Sequence, residues 1–235
     1  MINFKRLMIL GVMLVSASVM VMGQVFPTHE MTVEESYLQE SIELMIIREQ
    51  SRSASRDMKL LSLEYAGDLI ERGNRSAELH TSLEFLALEG VRIQSRESGR
   101  LINNFPDVRL RAATRLGEMG TPEARDILMT MLLADNEPTV ISEVIRSLGI
   151  IGLNEDDQTA NAISWVVARF DVINPHNILA FSALDAYQRL AAANGGTVSA
   201  STINAIIRIA DGNYLGVVRE RARALLTEFR TFAVR

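Results

Sequence analysis

The sequence predicts an all-α protein, namely an α-solenoid built from stacked antiparallel helix pairs. Two observations predict this fold. Apolar residues recur at spacings of three and four along most of the chain, and one helix-pair unit returns at an offset of 32 residues. A single pair cannot bury its apolar stripe alone, so neighbouring pairs must stack. Hydrophobic residues form 48% of the chain and charged residues 23%, which is a globular composition.

The beginning of the chain has the pattern of an export signal. Lys5 and Arg6 precede an apolar run over residues 7–22, and a cleavage site fits before Gln24. We therefore expect residues 1–23 to be a signal peptide and the mature protein to be periplasmic or secreted. The alternative is that the run 7–22 stays uncleaved and anchors the chain to the inner membrane.

The next part of the chain leads into the repeats. We expect residues 24–53 to be an N-terminal segment with a capping helix over 32–50, and residues 54–235 to be the repeat domain. The sequence "MKLLSLEYAGDLIERG", which starts at Met58, has the apolar spacing of a first helix, and residues 76–93 are predicted to form its partner. No convincing strand alternation follows the leader.

The clearest helix pair begins at Pro106. Gly120 suits the left-handed residue that ends a helix. Thr121 is a good N-cap and Pro122 fits the first helical position, so a second helix is predicted over 122–133. The apolar stripe of the first helix lies at Val108, Ala112, Leu116 and Met119. Asp107 and Arg111 are four residues apart on this helix, which favours a salt bridge between them.

The same unit returns along the chain. A shift of 32 residues places Pro106 on Pro138, Leu116 on Leu148 and Gly120 on Gly152. A weaker copy follows the predicted cap-and-proline pair Asn174-Pro175, and another starts at Val217. The predicted partner helices cover 157–171 and 199–211, and a last helix over 215–230 has no partner.

The repeated unit resembles the HEAT repeat, and in particular the short bacterial subtype first described in phycobilisome lyases. The residues that carry the resemblance are Pro106-Asp107-Val108-Arg109, Ala112-Ala113, Leu116-Gly117 and Gly120. The resemblance covers roughly residues 55–230 and is specific over 106–152. It implies a HEAT-like, armadillo-type superhelix. In such proteins the second helix of each pair usually lines the concave side.

The sequence offers little for catalysis or metal binding. The histidines His29, His80 and His176 lie far apart without a metal-binding spacing, and the chain has no cysteine. We read these histidines as surface or cap residues. Gly195-Gly196 lacks the residues of a phosphate loop and is read as a helix end, with Ser199 or Ser201 capping the next helix. The sequence therefore predicts no catalytic, cofactor or metal site.

Four residues on the predicted second helices are candidates for protein binding. Arginine supplies 22 of the 24 Lys and Arg residues, and its side chain suits recognition of carboxylates. The only tryptophan lies off the centre of its buried stripe, so we expect it to be partly exposed. The four candidates are Arg125, Trp165, Arg169 and Arg208. Local ion pairing and core packing are the alternative interpretations.

We therefore expect an exported, non-enzymatic module for protein–protein interaction or scaffolding, whose curved face binds an envelope or secreted protein. One alternative is a structural subunit of the envelope that forms homo-oligomers through its C-terminal end. An enzyme or lyase of the HEAT-like class is a weaker alternative, because the repeat motif reports packing. With a net charge of −5, the chain is not expected to bind nucleic acid, or a membrane except through an uncleaved leader.

Overall fold

The computed structural model describes residues 32–173 and 175–232. The predicted leader and His29 lie outside the described residues. Of the described residues, 37–173 and 175–232 belong to one compact unit, which holds the described repeats. The described elements are α1 Val33–Ser51, α2 Arg56–Glu71, α3 Ala77–Leu88, β1 Arg96–Glu97, β2 Arg100–Leu101, α4 Pro106–Met119, α5 Pro122–Ala134, α6 Pro138–Ile151, a 3-10 turn Glu155–Asp157, α7 Gln158–Ile173, α8 Asn177–Ala193, α9 Ala200–Asp211 and α10 Gly216–Phe232.

The helices of the repeat domain stack in two layers. The first helices α2, α4, α6, α8 and α10 pack in sequence, each against the next. The second helices α3, α5, α7 and α9 form the other layer, in which each helix also packs against the next. This arrangement is an all-α solenoid, as predicted. The last helix, which the sequence left without a partner, packs against both α9 and α8.

The turn signals of the repeat act as predicted. Gly120 ends α4 with a left-handed φ of 67°, and Gly152 ends α6 in the same way with a φ of 75°. The Thr121 hydroxyl accepts a hydrogen bond from the Ala124 amide at 3.1 Å. Proline occupies the start of α4, α5 and α6. The repeat register read from the sequence is therefore the register of the structure.

Two further glycines allow the first helices to approach closely. A Cβ atom on Gly117 of α4 would lie 2.8 Å from the Cβ of Ser147 on α6. A Cβ atom on Gly149 of α6 would lie 2.8 Å from the Cα of Ala186 on α8. Real Cβ atoms do not approach other atoms this closely, so these two positions require glycine. The side chains around them, including Leu116 and Leu148, are fully buried.

The helix predicted over 76–93 ends early, at Leu88. Glu89 already has an extended backbone, and Gly90 adopts a left-handed φ of 78° with its amide donating to the Ile93 carbonyl at 2.9 Å. A short antiparallel hairpin follows, which the sequence analysis missed. Its turn is Ser98-Gly99, and both residues have positive φ, as a type I′ turn requires.

The predicted start of the helix after Asn174 is also wrong by two residues. The helix α8 begins at Asn177, and His176 is its N-cap. The Nδ1 atom of His176 accepts a hydrogen bond from the Leu179 amide at 3.3 Å. The imidazole therefore takes the capping role that was assigned to Asn174, which lies outside the described residues, and the interpretation of His176 as a cap is confirmed.

The salt bridge predicted within α4 does not form. Asp107 pairs instead with Arg56 at 2.6 Å, and Arg111 lies 3.6 Å from Glu64. Both partners belong to α2, the neighbouring helix in the same layer. Spacing on one helix cannot exclude a partner that packing brings closer.

Candidate interaction surface

The four residues predicted to bind protein all lie on second helices. Arg125 is on α5, Trp165 and Arg169 are on α7, and Arg208 is on α9. These three helices pack side by side in one layer. Arg125 lies near the beginning of its helix, whereas Arg169 and Arg208 lie towards the ends of theirs. The structure thus places the four residues in one layer but brings only Trp165 and Arg169 into direct contact.

Trp165 is the most prominent group on this layer. Its side chain is 54% exposed, although the next two residues, Val166 and Val167, are buried. This confirms the prediction of a partly exposed tryptophan. A large exposed aromatic ring contributes contact area to an interface with few rotatable bonds to fix, and tryptophan is enriched among the residues that dominate binding energy.

Arg169 lies one helical turn after Trp165 and contacts its ring. The guanidinium carbon is 5.2 Å from the centroid of Trp165 and 5.1 Å from that of Phe170, both within cation–π range. The guanidinium also donates a hydrogen bond to the Asp135 carbonyl at 3.2 Å, at the end of α5. Because Arg169 joins two second helices and contacts the indole, it holds Trp165 in a defined orientation.

The other two arginines differ in their availability. The Arg125 side chain is only 12% exposed, and its Nε lies 3.0 Å from the Asp126 carboxylate. It is therefore a poor contact residue. Arg208 is exposed on α9. Leu133, which the sequence analysis did not select, is 52% exposed near the end of α5. The accessible part of the layer is thus centred on Trp165, with Leu133 and Arg208 on the two neighbouring helices.

A buried ion pair lies at the N-terminal end of the repeats. The Lys59 ammonium is 2.7 Å from the Glu89 carboxylate, and the two side chains are 1% and 8% exposed. Lys59 also donates to the Ser51 carbonyl at 2.8 Å, and its ammonium lies 5.2 Å from the Phe85 ring. The lysine therefore joins α1, α2 and the end of α3. A charge buried this deeply is tolerated only because it is paired and hydrogen-bonded.

A second buried pair joins α4 to the link between α5 and α6. The Arg109 Nε donates to Asp135 at 2.6 Å, and both side chains are 3% exposed. Arg109 also donates to the Asn104 side chain at 2.8 Å. The Asp135 carboxylate accepts from the backbone amides of Asn136 and Glu137 at 2.8 and 2.9 Å. Asp135 thus holds three segments together, and its carbonyl binds Arg169 as well.

Neither ion pair was predicted, although the sequence contains a signal for each. Lys59 is the only lysine outside the leader, and it shares a helical stripe with Leu63, Ala66 and Ile70. Arg109 shares the stripe of Ala112 and Ala113. A charged residue on a core-facing stripe indicates a buried partner, but the identity of that partner depends on the fold.

The remaining polar groups have structural roles. His80 links α3 to the start of α5, with its Nε2 atom 2.7 Å from the Thr121 hydroxyl. It is 9% exposed, so it is a buried linking residue and not a surface one. The Ser164 hydroxyl contacts the Tyr187 hydroxyl at 2.9 Å, and burial raises the pKa of this tyrosine. Gly195 and Gly196 have positive φ and end α8, and Ser199 caps α9, as predicted.

Over the described ranges 32–173 and 175–232, no group of histidine and acidic side chains is arranged to hold a metal ion. Within the same ranges no helix combines the length and the apolar character that a membrane span needs. A polar cavity of 310 Å³ lies between the α5–α6 link and the segments on either side of the hairpin, and the paired Arg109 and Asp135 form part of its wall.

Comparison with known proteins agrees with the geometry. Residues 100–170 match the family described as HEAT repeats. Among solved structures, the chain is similar to one chain of the complex of CpcE and CpcF of phycocyanin lyase from Nostoc sp. PCC7120. The TM-score is 0.53 at 15% identity, and the alignment covers 89% of this chain and 71% of the other. No curated protein matches the sequence.

The two-layered array and the matched repeats define the class of this protein. It is an α-solenoid with an extended surface of parallel second helices. Within this solenoid, α4, α5 and α6 lie in residues 100–170, the segment that matches HEAT repeats.

Proposed function

We propose that this protein is an exported, non-enzymatic interaction module that binds a protein partner through the second-helix layer around Trp165. The observation that carries the proposal is the exposed indole ring fixed by Arg169. A rigid aromatic group with an adjacent cation loses little conformational entropy when a partner covers it. Export rests on the leader pattern of residues 1–23.

The fold and its structural relative support a binding role. Solenoids present extended surfaces to protein partners. The similar structure is described as a complex of two proteins, CpcE and CpcF. The same description names phycocyanin lyase, and this activity is stated for that complex. In this chain the most deeply buried charged side chains, Lys59 and Arg109, are paired with Glu89 and Asp135, which gives them a packing role.

Affinity capture with matched variants tests the proposal. Full-length tagged protein is expressed in its native host, and co-purifying proteins are compared for the wild type, Trp165→Ala with Arg208→Ala, and Phe181→Ala. Phe181 lies on α8 in the first-helix layer and is 50% exposed, close to the exposure of Trp165. Because both sites are on the surface, neither change should unfold the protein.

We expect the double variant to lose a partner that the wild type and Phe181→Ala retain. Recovery of the same partners in the same amounts by all three proteins would refute the proposed surface. Circular dichroism melting of each purified variant verifies that the solenoid is intact. Arg125→Ala serves as a second control, since its largely buried side chain should contribute little to binding.

A further inference from the structure

Within the described residues, the last helix, α10, belongs to the first-helix layer, and no second helix follows it. A groove of 440 Å³ lies between α9 and α10. Its wall is mostly apolar, and its lining residues include Val198, Ile203, Ile207, Leu226, Phe229 and Arg230.

The groove has the position that a further second helix would take. Each second helix packs against the second helix before it, as α9 packs against α7. A helix placed after α10 in this order would lie against α9 and α10, where the groove is. Its lining residue Ile207 remains 42% exposed, so apolar surface is left uncovered there.

The other end of the array presents an apolar helix face. One side of α1 is packed, with Ile47 fully buried. The opposite side carries three large apolar residues at spacings of four and three. They are Leu38, Ile42 and Met45, exposed by 64%, 48% and 62%. A helix that is apolar on two faces has one face to offer to another molecule.

The two ends also carry opposite charge. The helix α1 contains five glutamates and one arginine. The helices α9 and α10 together contain five arginines and three acidic residues. One of these arginines, Arg230, lines the groove. Complementary charge at the rim of two apolar surfaces favours their encounter and selects their orientation.

We infer that the groove between α9 and α10 binds the outer face of α1 from a second copy of this chain. In this position α1 of the second copy packs as a further second helix, so the solenoid continues from one molecule into the next. The contact is head-to-tail and therefore heterologous, which makes linear assemblies unless the rotation closes a ring. This inference goes beyond the proposed partner-binding surface and uses different residues.

Cysteine crosslinking between two tagged copies tests this inference. The chain has no cysteine, so each introduced thiol is unique. Full-length Ile42→Cys with one tag is co-expressed with full-length Ile207→Cys carrying another, and a short bis-maleimide is added. Phe181→Cys, at a position of similar exposure on α8, replaces Ile207→Cys in the control.

We expect an adduct containing both tags when Ile42→Cys is paired with Ile207→Cys, called the 42–207 adduct. No such adduct is expected when Ile42→Cys is paired with Phe181→Cys. Adducts between two copies of Ile42→Cys, or between two copies of Ile207→Cys, would indicate a symmetric contact and overturn the inference. The absence of any adduct between the two copies would also overturn it.

A second variant tests whether the 42–207 adduct depends on the apolar face of α1. Leu38→Arg changes an exposed residue and should not unfold α1, which melting of the purified protein verifies. It should abolish the 42–207 adduct, because it places a cation on the apolar face of α1 that enters the groove, where Arg230 already supplies a positive charge. Retention of the adduct in this variant would contradict the inferred contact.

Discussion

The two best-preserved repeats share their backbone signals but differ in what they bury. The helices α4 and α6 both begin with proline and end at a left-handed glycine. At the fourth helical position, however, α4 has Arg109 and α6 has Ile141, which is fully buried. Arg109 has partners because Asn104, Asp135 and the Glu89 carbonyl lie around it. The repeat thus fixes backbone and apolar positions, whereas polar groups in the core depend on the neighbouring segments.

The largest expected effect comes from breaking the buried pair. Asp135→Ala leaves the Arg109 guanidinium buried without its carboxylate and removes the acceptor for two backbone amides. We expect a loss of about 3–5 kcal/mol in the free energy of unfolding. Ile141→Val, at the equivalent position of the next repeat, should cost about 0.5–1.5 kcal/mol. Chemical denaturation followed by circular dichroism measures both.

The double variant Arg109→Ile with Asp135→Asn sharpens this comparison. It gives the first repeat the isoleucine that the second has at Ile141 and keeps a side-chain oxygen for the two amides. It should be more stable than Asp135→Ala alone, because no unpaired charge remains. If Asp135→Ala cost no more than Ile141→Val, the ion pair would have no structural role.

The next largest loss of stability is expected at the glycines where two first helices approach closely. Gly149→Ala would place a Cβ 2.8 Å from the Ala186 Cα, which is backbone and cannot rotate away. Gly117→Ala meets mainly the Ser147 side chain. We expect overpacking to cost about 1–3 kcal/mol in each variant, with the larger loss at Gly149. Equal melting temperatures for Gly149→Ala and the wild type would contradict the packing described.

A smaller difference in stability is expected between substitutions of the two left-handed glycines, Gly120 and Gly152. A Cβ at Gly120 would meet nothing within 4 Å, whereas one at Gly152 would lie 3.1 Å from the Ala193 Cβ. Alanine at either position should cost about 1–2 kcal/mol from the left-handed backbone alone. The Gly152→Ala variant should lose more than Gly120→Ala, because only it adds a close contact. Thermal denaturation of the two variants side by side tests the order.

The smallest expected change has the opposite sign. The Ser147 hydroxyl is fully buried on α6 and has no hydrogen-bond partner within the part of the chain that the structure describes. Ser147→Ala removes this unsatisfied group and should stabilise the protein by about 1 kcal/mol. Ser142→Ala is the matched control, since that hydroxyl donates to the Pro138 carbonyl at 2.6 Å. Destabilisation by Ser147→Ala would show that the hydroxyl has a favourable contact.

Most of the fold could be predicted because its signals are local. A proline, an N-cap such as Thr121 and a glycine such as Gly120 specify a helix boundary by their own backbone preferences. The hairpin was missed because its strands have only two residues each, too few for alternation to show. The turn dipeptide Ser98-Gly99 was the one other indication of a hairpin in this segment. It was overlooked because the sequence around it has helical apolar spacing.

The candidate surface was predictable only in part. The exposure of Trp165 followed from its place on the helical stripe, and its contact with Arg169 was available from their spacing of four residues. The burial of Arg125 and the pairing of Arg109 with Asp135 depend on contacts between repeats. Such contacts are set by the stacking of helices far apart in the sequence, which a local pattern does not encode.

Photocrosslinking from the second-helix layer tests the central claim most directly. A benzophenone amino acid is introduced at position 165 or, as the control, at position 181 of the full chain, and cells of the native host are irradiated. The account predicts an adduct of defined mass with another protein from position 165 and none from position 181. Adducts from position 181 alone, or from neither position, would contradict it.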